Sequence, residues 1–356
     1  MFRDVKKMKA GKKLLVIPIL AAACLFPSSA GGGEKSTVEA AVVKNEEKML
    51  IPGGTAVGVT LESNGILVLG TGNVTGRDRH VYSPAENILR EGDIILSAGG
   101  IELEDKEALS LAVRDCNDRL DLKVKRKNEV LDVSLTPVKC MEDGSNKIGV
   151  WVRDSTQGIG TLTYIDPKNN SFGALGHGVY DADTGELMTV KSGNVVKSNI
   201  TGVRKSEKGK PGELTGVLDK NEIKGEITEN NKCGIYGVLN EQSVEEYYNK
   251  PIPIADKSEI RQGDVTILNS SVDGRISEYK AKITSINLNH KDADKGIVLK
   301  ITDENLKETA GGIVQGMSGS PIIQDGKLIG AVTHVLVNDP TRGYGIFIEN
   351  MLEVAG

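Results

Sequence analysis

Residues 312–321 read Gly-Ile-Val-Gln-Gly-Met-Ser-Gly-Ser-Pro, and they are followed by the apolar pair Ile322-Ile323, which predicts a strand. Glycines at 316 and 319 flank Ser318, so the backbone on both sides of this serine can turn tightly. An acyl-transfer serine needs such a turn, because its hydroxyl must be exposed and N–H groups must converge on the developing oxyanion. The stretch therefore predicts Ser318 as a nucleophile, with the N–H groups of Gly316 and Ser318 as an oxyanion hole. The alternative is a glycine-rich hairpin with two incidental serines.

The chain has four histidines, and one of them is well placed to act as a general base. His177 lies between two glycines that leave its imidazole uncrowded, and a general base must reach the serine hydroxyl. His334 lies in the apolar run Leu-Ile-Gly-Ala-Val-Thr-His-Val-Leu-Val, which predicts a buried core histidine. His80 and His290 lie in charged stretches and are expected to be solvated. A histidine beside glycines can also be a plain turn residue, but its occurrence together with the Ser318 loop favours catalysis.

Four further stretches complete a recognisable pattern: Gly-Ile-Gly-Thr-Leu-Thr-Tyr (158–164), Gly-Ala-Leu-Gly-His (173–177), Leu-Lys-Ile-Thr-Asp (299–303) and Gly-Ala-Val-Thr-His-Val-Leu-Val-Asn-Asp-Pro (330–340). Together with residues 312–323 they resemble the stage IV sporulation protein B peptidases of spore-forming bacteria, from about residue 50 to the C-terminus. The resemblance implies a chymotrypsin-like double β-barrel preceded by a PDZ domain. It also implies His177 as base, Asp303 as its orienting carboxylate and Ser318 as nucleophile.

The residues themselves leave the orienting carboxylate open. A carboxylate is needed because it holds the imidazole in the right tautomer and stabilises the imidazolium that forms. Asp303 precedes a segment that reads Glu-Asn-Leu-Lys-Glu, so it also fits the N-cap of a helix. Asp181, shortly after His177, is a rival. The family resemblance favours Asp303.

Composition and the N-terminus indicate an exported, mainly β protein with two domains. The 42 glycines and 11 prolines, which interrupt many short Val/Ile/Thr runs, suggest strands joined by tight turns. Residues 1–30 combine basic residues, the apolar run 14–26 and the small residues Ser28-Ser29-Ala30. They are predicted to be a signal peptide or an N-terminal membrane anchor. The sequence leaves the choice between the two open, because the apolar run is shorter than the ~20 residues of a comfortable transmembrane helix. Residues 31–50 are predicted to be a flexible linker.

Residues 51–140 are predicted to form the PDZ domain, and residues 147–356 the serine peptidase domain. Val57-Gly58-Val59 is interpreted as the peptide-binding loop, whose N–H groups would meet the terminal carboxylate of a peptide bound by strand addition. The same three residues also suit an ordinary strand and turn. A helix from about Asp105 to Asp115 is expected to flank the peptide groove with its apolar face.

Charge and cysteine content exclude several classes of function. The formal net charge is −5, and no basic footprint lies outside the leader, so nucleic acid is not expected as a partner. Cys116, Cys140 and Cys233 remain after the leader, and their odd number and wide spacing indicate neither a metal site nor a disulfide framework. No cofactor or metal is predicted. A Cys116–Cys140 disulfide and free buried thiols both remain possible.

These patterns favour a serine endopeptidase. The family resemblance implies export across the forespore membrane into the space between mother cell and forespore, self-processing, and cleavage of a membrane-bound regulator of an intramembrane protease, which activates a late sigma factor. The expected partners are protein substrates, the chain itself and a peptide ligand of the PDZ domain. The alternative is a catalytically silent PDZ scaffold that binds membrane partners. The three filled catalytic positions favour the enzyme.

Overall fold

The computed structural model describes residues 48–355, except 248–249 and 271–274. The predicted leader (1–30) and almost all of the predicted linker (31–50) therefore lie outside the described residues. The described residues belong to one compact unit, Glu46–Gly356, and the predicted mainly β fold is confirmed. None of the helices in this described part of the chain is long and apolar enough to cross a membrane.

The strands and helices fall into three groups along the chain. The first group contains β1 (Met49–Pro52), β2 (Ala56–Thr71), β3 (Val74–Thr75), β4 (Val81–Tyr82), β5 (Ile94–Ala98), β6 (Ile101–Glu102), α1 (Lys106–Asp115), β7 (Leu120–Arg126), β8 (Glu129–Leu135), β9 (Val138–Lys139) and β10 (Asn146–Lys147). The second contains β11 (Val150–Ile165), β12 (Ser171–Ala174), β13 (Val190–Arg204), β14 (Glu213–Asn231), β15 (Gly234–Leu239), α2 (Glu241–Glu246) and β16 (Ile252–Pro253). The third contains β17 (Gly263–Asn269), β18 (Ser277–Ile286), β19 (Ile297–Ile301), α3 (Glu304–Ala310), β20 (Pro321–Gln324), β21 (Lys327–Leu336), β22 (Asp339–Phe347) and α4 (Ile348–Glu353).

The first barrel is a closed ring of six strands. The antiparallel pairings run from β2 to β11, β12, β15, β14 and β13, and β13 pairs again with β2. Alternate residues of β2, namely Val57, Val59 and Leu61, point into the core of this barrel with Leu162 and Val195. The alternation follows from the two-residue period of a strand.

The PDZ region is built from the second half of β2 and from the elements that follow it. Residues 66–67 of β2 pair with β5, β5 pairs with β7, and β7 pairs with β8. Asp105 caps α1 by accepting a hydrogen bond from Ala108 N at 2.7 Å. Leu109 and Val113, one turn apart, are the buried residues of this helix. A small antiparallel sheet with one flanking helix agrees with the PDZ prediction, and the helix bounds agree with those expected from sequence.

Val57-Gly58-Val59 does not form a peptide-binding loop. It lies in the first half of β2, where β11 pairs with one edge through Gly158 to Gly160 and β13 pairs with the other through Val195 to Lys197. Because both edges of the strand are occupied, its N–H groups are not offered to a peptide carboxylate. The prediction of the peptide-binding loop is wrong, and the ordinary-strand alternative is correct. Ile51, Val57, Val59 and Leu61 accordingly contribute to the core of the first barrel rather than to that of the PDZ region.

The second barrel is closed by six strands in the order β17, β18, β19, β22, β21 and β20. Its core contains Ile267, Ile283, Leu299 and Ile322, and Leu214 from the first barrel joins the same cluster. The two barrels therefore share apolar packing. The segment from α3 to β20 carries the Ser318 loop, so this loop lies at the side of the second barrel that meets the first.

The three described cysteines are free thiols. Cys116 is partly exposed, whereas Cys140 and Cys233 are buried. Of the two possibilities left by the sequence, the structure therefore has free thiols rather than a Cys116–Cys140 disulfide.

Candidate active site

The Ser318 loop is fastened to the first barrel by two threonines of β11. Thr161 and Thr163 are fully buried, and their spacing of two places both side chains on one face of the strand. Thr161 N donates to Ser318 O at 2.9 Å, and Thr161 Oγ1 donates to Gly316 O at 2.7 Å. Thr163 Oγ1 donates to Gly319 O at 2.8 Å. One strand therefore fixes the main chain before, at and after the serine.

The tight turn that the two glycines predict is present. Gly316 has φ +99° and Gly319 has φ +95°, a region that residues with a side chain rarely adopt. A Cβ at position 319 would lie 2.0 Å from Thr161 O, and one at position 316 would lie 2.8 Å from Leu214 Cδ1. Both the backbone conformation and the available space therefore require glycine.

The two serines of the loop have different surroundings. Ser318 lines a cavity, and its Oγ donates to Thr333 O at 2.6 Å. Ser320 is fully buried. Its hydroxyl donates to Met317 O at 2.6 Å and accepts from Asn269 Nδ2 at 2.8 Å. Ser318 is therefore the serine of this loop that a substrate can reach.

The main-chain N–H groups of Gly316 and Ser318 have no hydrogen-bond acceptor within the part of the chain that the structure describes. Both residues line the same cavity. Buried N–H groups in proteins are almost always paired, so two free donors beside a serine hydroxyl are available to a ligand oxygen. These two groups remain the predicted oxyanion hole.

The cavity has a volume of about 540 Å³ and receives residues from both barrels. His177 enters it from the segment after β12, and His334 and Ser318 enter it from the second barrel. Its apolar lining includes Val59, Ile159, Leu175, Ile313, Val335 and Val337. The cavity can therefore take an extended, partly apolar chain across the serine.

His177 has the tautomer that a general base requires. Its Nδ1 lies 2.8 Å from Gly178 O, and because a carbonyl oxygen only accepts, Nδ1 carries the proton. The Nε2 atom is then the acceptor. Burial lowers the pKa of His177 below its ordinary value, while the Gly178 carbonyl and the carboxylate of Asp294 act in the opposite direction. The imidazole is therefore neutral at neutral pH, as proton abstraction requires.

His334 is not the buried core histidine that its sequence context predicts. Its side chain is 43% exposed and faces the cavity. Its ring centroid lies 4.7 Å from that of His177, with the two planes inclined by 35°. Burial and the adjacent His177 lower the pKa of His334 to about 4. The apolar run does form a strand, β21, but strand periodicity cannot reveal that this position opens onto a cavity between two barrels.

Asp303 is the N-cap of α3, and the structure does not bring it to His177. Its Oδ1 accepts from Leu306 N at 3.0 Å, and its Oδ2 accepts from Lys280 N at 3.3 Å. Such a cap contributes about 1 kcal/mol to helix stability. The structure therefore shows the capping alternative, and the expected contact between this carboxylate and the base is absent among the described residues. Through α3, Asp303 instead supports the segment that leads to Ser318.

Asp181, the rival carboxylate, is also engaged elsewhere. It is buried, pairs with Arg153 Nη1, and accepts from Asp183 N at 3.0 Å and Thr184 N at 2.9 Å. These contacts lower its pKa against the effect of burial. Asp181 therefore stabilises the loop that follows His177, and it does not hydrogen-bond to the imidazole.

A carboxylate that the sequence did not single out, Asp294, lies next to His334. It lies in the one-turn 3-10 helix Ala293–Lys295, and its Oδ2 is 3.6 Å from His334 Nδ1. Its charge acts on both His177 and His334. The charged stretch Lys-Asp-Ala-Asp-Lys (291–295) resembles any solvated loop, so no local pattern distinguishes this aspartate.

The sequence of the chain matches the model of a known protein family. The sequence model of the family described as SpoIVB peptidase S55 matches residues 144–352, which is more than half of the chain. No curated protein matches at a significant level. Among solved structures, the chain is similar to the PDZ domain of the SdrC-like protein (Lmo2051) from Listeria monocytogenes, with 16% identity over 25% of this chain and 87% of that chain and a TM-score of 0.20. It is also similar to the active form of the Rv3671c protease from M. tuberculosis, with 14% identity over 56% of this chain and 75% of that chain and a TM-score of 0.32.

The family match includes both His177 and Ser318, and its range covers most of the first barrel and all of the second. The barrels bring these two residues to one cavity. The chain therefore belongs to the SpoIVB peptidase S55 family and is a serine endopeptidase.

Proposed function

We propose that this peptidase acts in sporulation signalling, where it cleaves itself and a membrane-bound regulator of an intramembrane protease and thereby triggers activation of a late sigma factor. The observation that carries the proposal is the convergence of Ser318, His177 and two free N–H groups on one cavity in a chain of this family. The family name supports the sporulation role. A catalytically silent PDZ scaffold, the second candidate function, would not need the free N–H groups of Gly316 and Ser318 beside a serine hydroxyl.

The residues divide the reaction between them. Ser318 Oγ attacks the carbonyl carbon of the scissile peptide bond while His177 Nε2 takes its proton. The N–H groups of Gly316 and Ser318 bind the oxyanion of the tetrahedral intermediate. The intermediate collapses as His177 returns the proton to the leaving amine, and the acyl-enzyme is then hydrolysed by water through the same two steps. Ser318 must first turn its hydroxyl away from Thr333 O, which accepts its hydrogen bond in this structure.

The sequence of the first 30 residues supports the proposed location between mother cell and forespore. The basic residues and apolar run of the first 30 residues support export across the forespore membrane and an initial membrane association. The segment from Gly31 to about Lys48 follows directly and lacks apolar periodicity. A segment tethered to its own protease is present at high effective concentration, which favours self-cleavage there.

We propose that a peptide ligand of the PDZ region binds in the cavity between α1 and the start of β11, and not at Val57-Gly58-Val59. This cavity has a volume of about 420 Å³ and is lined by Leu109 and Val113 of α1 and by residues 148–152. Grooves between a helix and a strand bind extended peptides in PDZ domains. A protein partner or the chain's own cleaved end has the chemistry to occupy it.

An active-site serine probe tests the catalytic part of the proposal. A fluorophosphonate is expected to label the folded, purified protein with one equivalent at Ser318, because the probe needs a nucleophile activated by a base. The site of labelling is read by peptide mass spectrometry, with Ser318→Ala as the matched control. Absence of labelling in folded wild-type protein would favour the silent scaffold.

Self-processing is tested separately from catalysis. Wild-type and Ser318→Ala full-length chains are expressed in the same host, and their N-termini are compared by mass spectrometry. We expect shorter forms, cut between residue 31 and about residue 48, in the wild type alone. Identical N-termini in both proteins would show that other proteases make the cuts, and would leave the catalytic assignment standing.

A further inference from the structure

The proton on His177 Nδ1 is held by a main-chain carbonyl, that of Gly178, where serine proteases usually use a carboxylate. We propose that Asp294 is the positioning carboxylate of this active site and that it acts on His177 through the adjacent ring of His334. The proposal rests on the proposed roles of Ser318 as nucleophile and His177 as base. It assigns Asp303 to helix capping.

Hydrogen bonds hold the main chain of Asp294 next to the Ser318 loop. Thr333 Oγ1 donates to Asp294 O at 2.7 Å, and Thr333 O is the acceptor for the hydroxyl of Ser318. A single buried threonine thus connects the main chain of Asp294 to the nucleophile. Asn350 Nδ2 adds a hydrogen bond to Ala293 O at 3.0 Å. The main chain that carries Asp294 therefore has a fixed position relative to Ser318.

The carboxylate meets a ring nitrogen that lacks a partner. His334 Nδ1 is a buried atom with no hydrogen bond among the described residues, and Asp294 Oδ2 lies 3.6 Å from it. Catalytic hydrogen bonds are often long in unliganded enzymes and tighten when substrate binds. A movement of well under 1 Å would bring this pair within hydrogen-bond distance. His334 would then be oriented by Asp294, and its ring would in turn orient His177, whose centroid is 4.7 Å away.

The charges around the two rings favour this arrangement. When His177 takes the serine proton, a positive charge forms next to His334. Burial and the proximity of His177 hold the pKa of His334 low, at about 4, so His334 stays neutral and the repulsion of two imidazolium rings is avoided. Asp294 then supplies the negative charge that stabilises the new imidazolium, in a buried site where such interactions are stronger than in water.

The other titratable groups that surround Asp294 do not replace it. Tyr180, on the segment that carries His177, and Cys233, between β14 and β15, both have raised pKa values because of burial and remain neutral in acid. Lys295 is positive, and Asp292 beside it raises its pKa. Tyr344 of β22 acts on the same lysine. Lys295 opposes the effect of Asp294 on His334, so Asp294 is the negative group whose removal the histidines would register.

Three aspartate-to-asparagine substitutions test the proposal: Asp294→Asn is the test, and Asp303→Asn and Asp292→Asn are its controls. The rate of fluorophosphonate labelling of Ser318 in the full chain is measured from acid to neutral pH. Asp294→Asn is expected to lower the maximal rate about 100-fold, the size of loss when catalytic groups are slightly misplaced. The substitution should also shift the acid limb of the pH profile, where the labelling rate falls as the pH decreases, to lower pH. Removing a negative charge lowers the pKa of His177, so the imidazole stays neutral at a lower pH. Asp294→Glu, which keeps the charge, should restore the acid limb.

The two controls separate positioning from capping and from general charge. Asp303→Asn should keep the rate within a few-fold of wild type and leave the acid limb in place, because asparagine caps helices as well as aspartate does. Asp292→Asn removes an exposed charge from the same turn, where it pairs with Lys295, and should change neither quantity. Thermal unfolding of each variant verifies that it is folded.

Two results would overturn the proposal. In the first, Asp303→Asn loses labelling and shifts the acid limb while Asp294→Asn behaves as wild type, which would return Asp303 to the triad. In the second, Asp294→Asn lowers the rate without moving the acid limb, which would indicate a purely structural role. If folded wild-type protein were not labelled at all, the assignment of Ser318 as nucleophile would itself fail, and that outcome is distinct from the other two.

Discussion

Replacing Ser318 with alanine is expected to abolish peptide-bond hydrolysis while the protein keeps its fold. The loss should be on the order of 10⁶-fold in kcat, as when other serine proteases lose a member of their catalytic group. The fold should persist, because the Ser318 side chain contributes one hydrogen bond, to Thr333 O, worth about 1 kcal/mol. Hydrolysis of a protein substrate and a thermal unfolding curve, measured on the same preparation, test both parts.

Ser320→Ala is the matched control, since it removes a hydroxyl two positions away in the same loop. Ser320 is fully buried between Met317 O and Asn269 Nδ2, so its loss leaves a buried donor with one partner fewer. We expect a destabilisation of about 1–3 kcal/mol with catalysis largely retained. Wild-type activity in folded Ser318→Ala protein, together with an inactive but folded Ser320→Ala protein, would move the nucleophile to Ser320.

His177→Ala should lose activity to the same extent as Ser318→Ala, because the two residues act as a unit and the loss of either one stops proton transfer. In the wild type, activity should fall as pH decreases through the pKa of His177, since only the neutral imidazole accepts the serine proton. Burial lowers this pKa, so the acid limb should lie below the ordinary histidine range. A pH profile of kcat/KM measures it.

His334→Ala is the control for the identity of the base. It removes a ring that contacts His177 but leaves the base itself, so we expect a loss of about 100-fold at most. The acid limb should survive in this variant, whereas His177→Ala should have no residual activity to titrate. If His334→Ala were the inactive variant and His177→Ala the active one, the roles of the two histidines would be exchanged.

The sequence was sufficient for features whose cause is local. The glycines around Ser318 predicted a tight turn, and in the structure Gly316 and Gly319 both adopt a left-handed backbone conformation. The apolar residues Ala108, Leu109, Leu111 and Ala112 predicted a helix from about Asp105 to Asp115, within one residue of the bounds of α1. Short apolar runs between glycines predicted a mainly β chain. This prediction is local because side chains along a strand alternate between its two faces with a period of two residues.

The features that the sequence could not supply depend on which elements become neighbours. Val57-Gly58-Val59 has the pattern of a loop or of a strand, and only the pairing of β2 with both β11 and β13 decides between them. For Asp303, the helix-start signal in its own neighbourhood is confirmed by the cap on Leu306 N, and among the described residues no hydrogen bond joins this carboxylate to His177.

By itself, the sequence determined the tight turn around Ser318, the mainly β architecture and the helix of the PDZ region, because turn geometry, strand periodicity and the apolar pattern of a helix act over a few residues. Only the tertiary structure decided which charged and polar groups share the active site. Closure of the two barrels brings His334 onto His177 and places Asp294 next to both, from segments more than a hundred residues beyond His177 in the chain. The physical reason is that pKa values and hydrogen bonds depend on distance in space, which a single sequence does not contain.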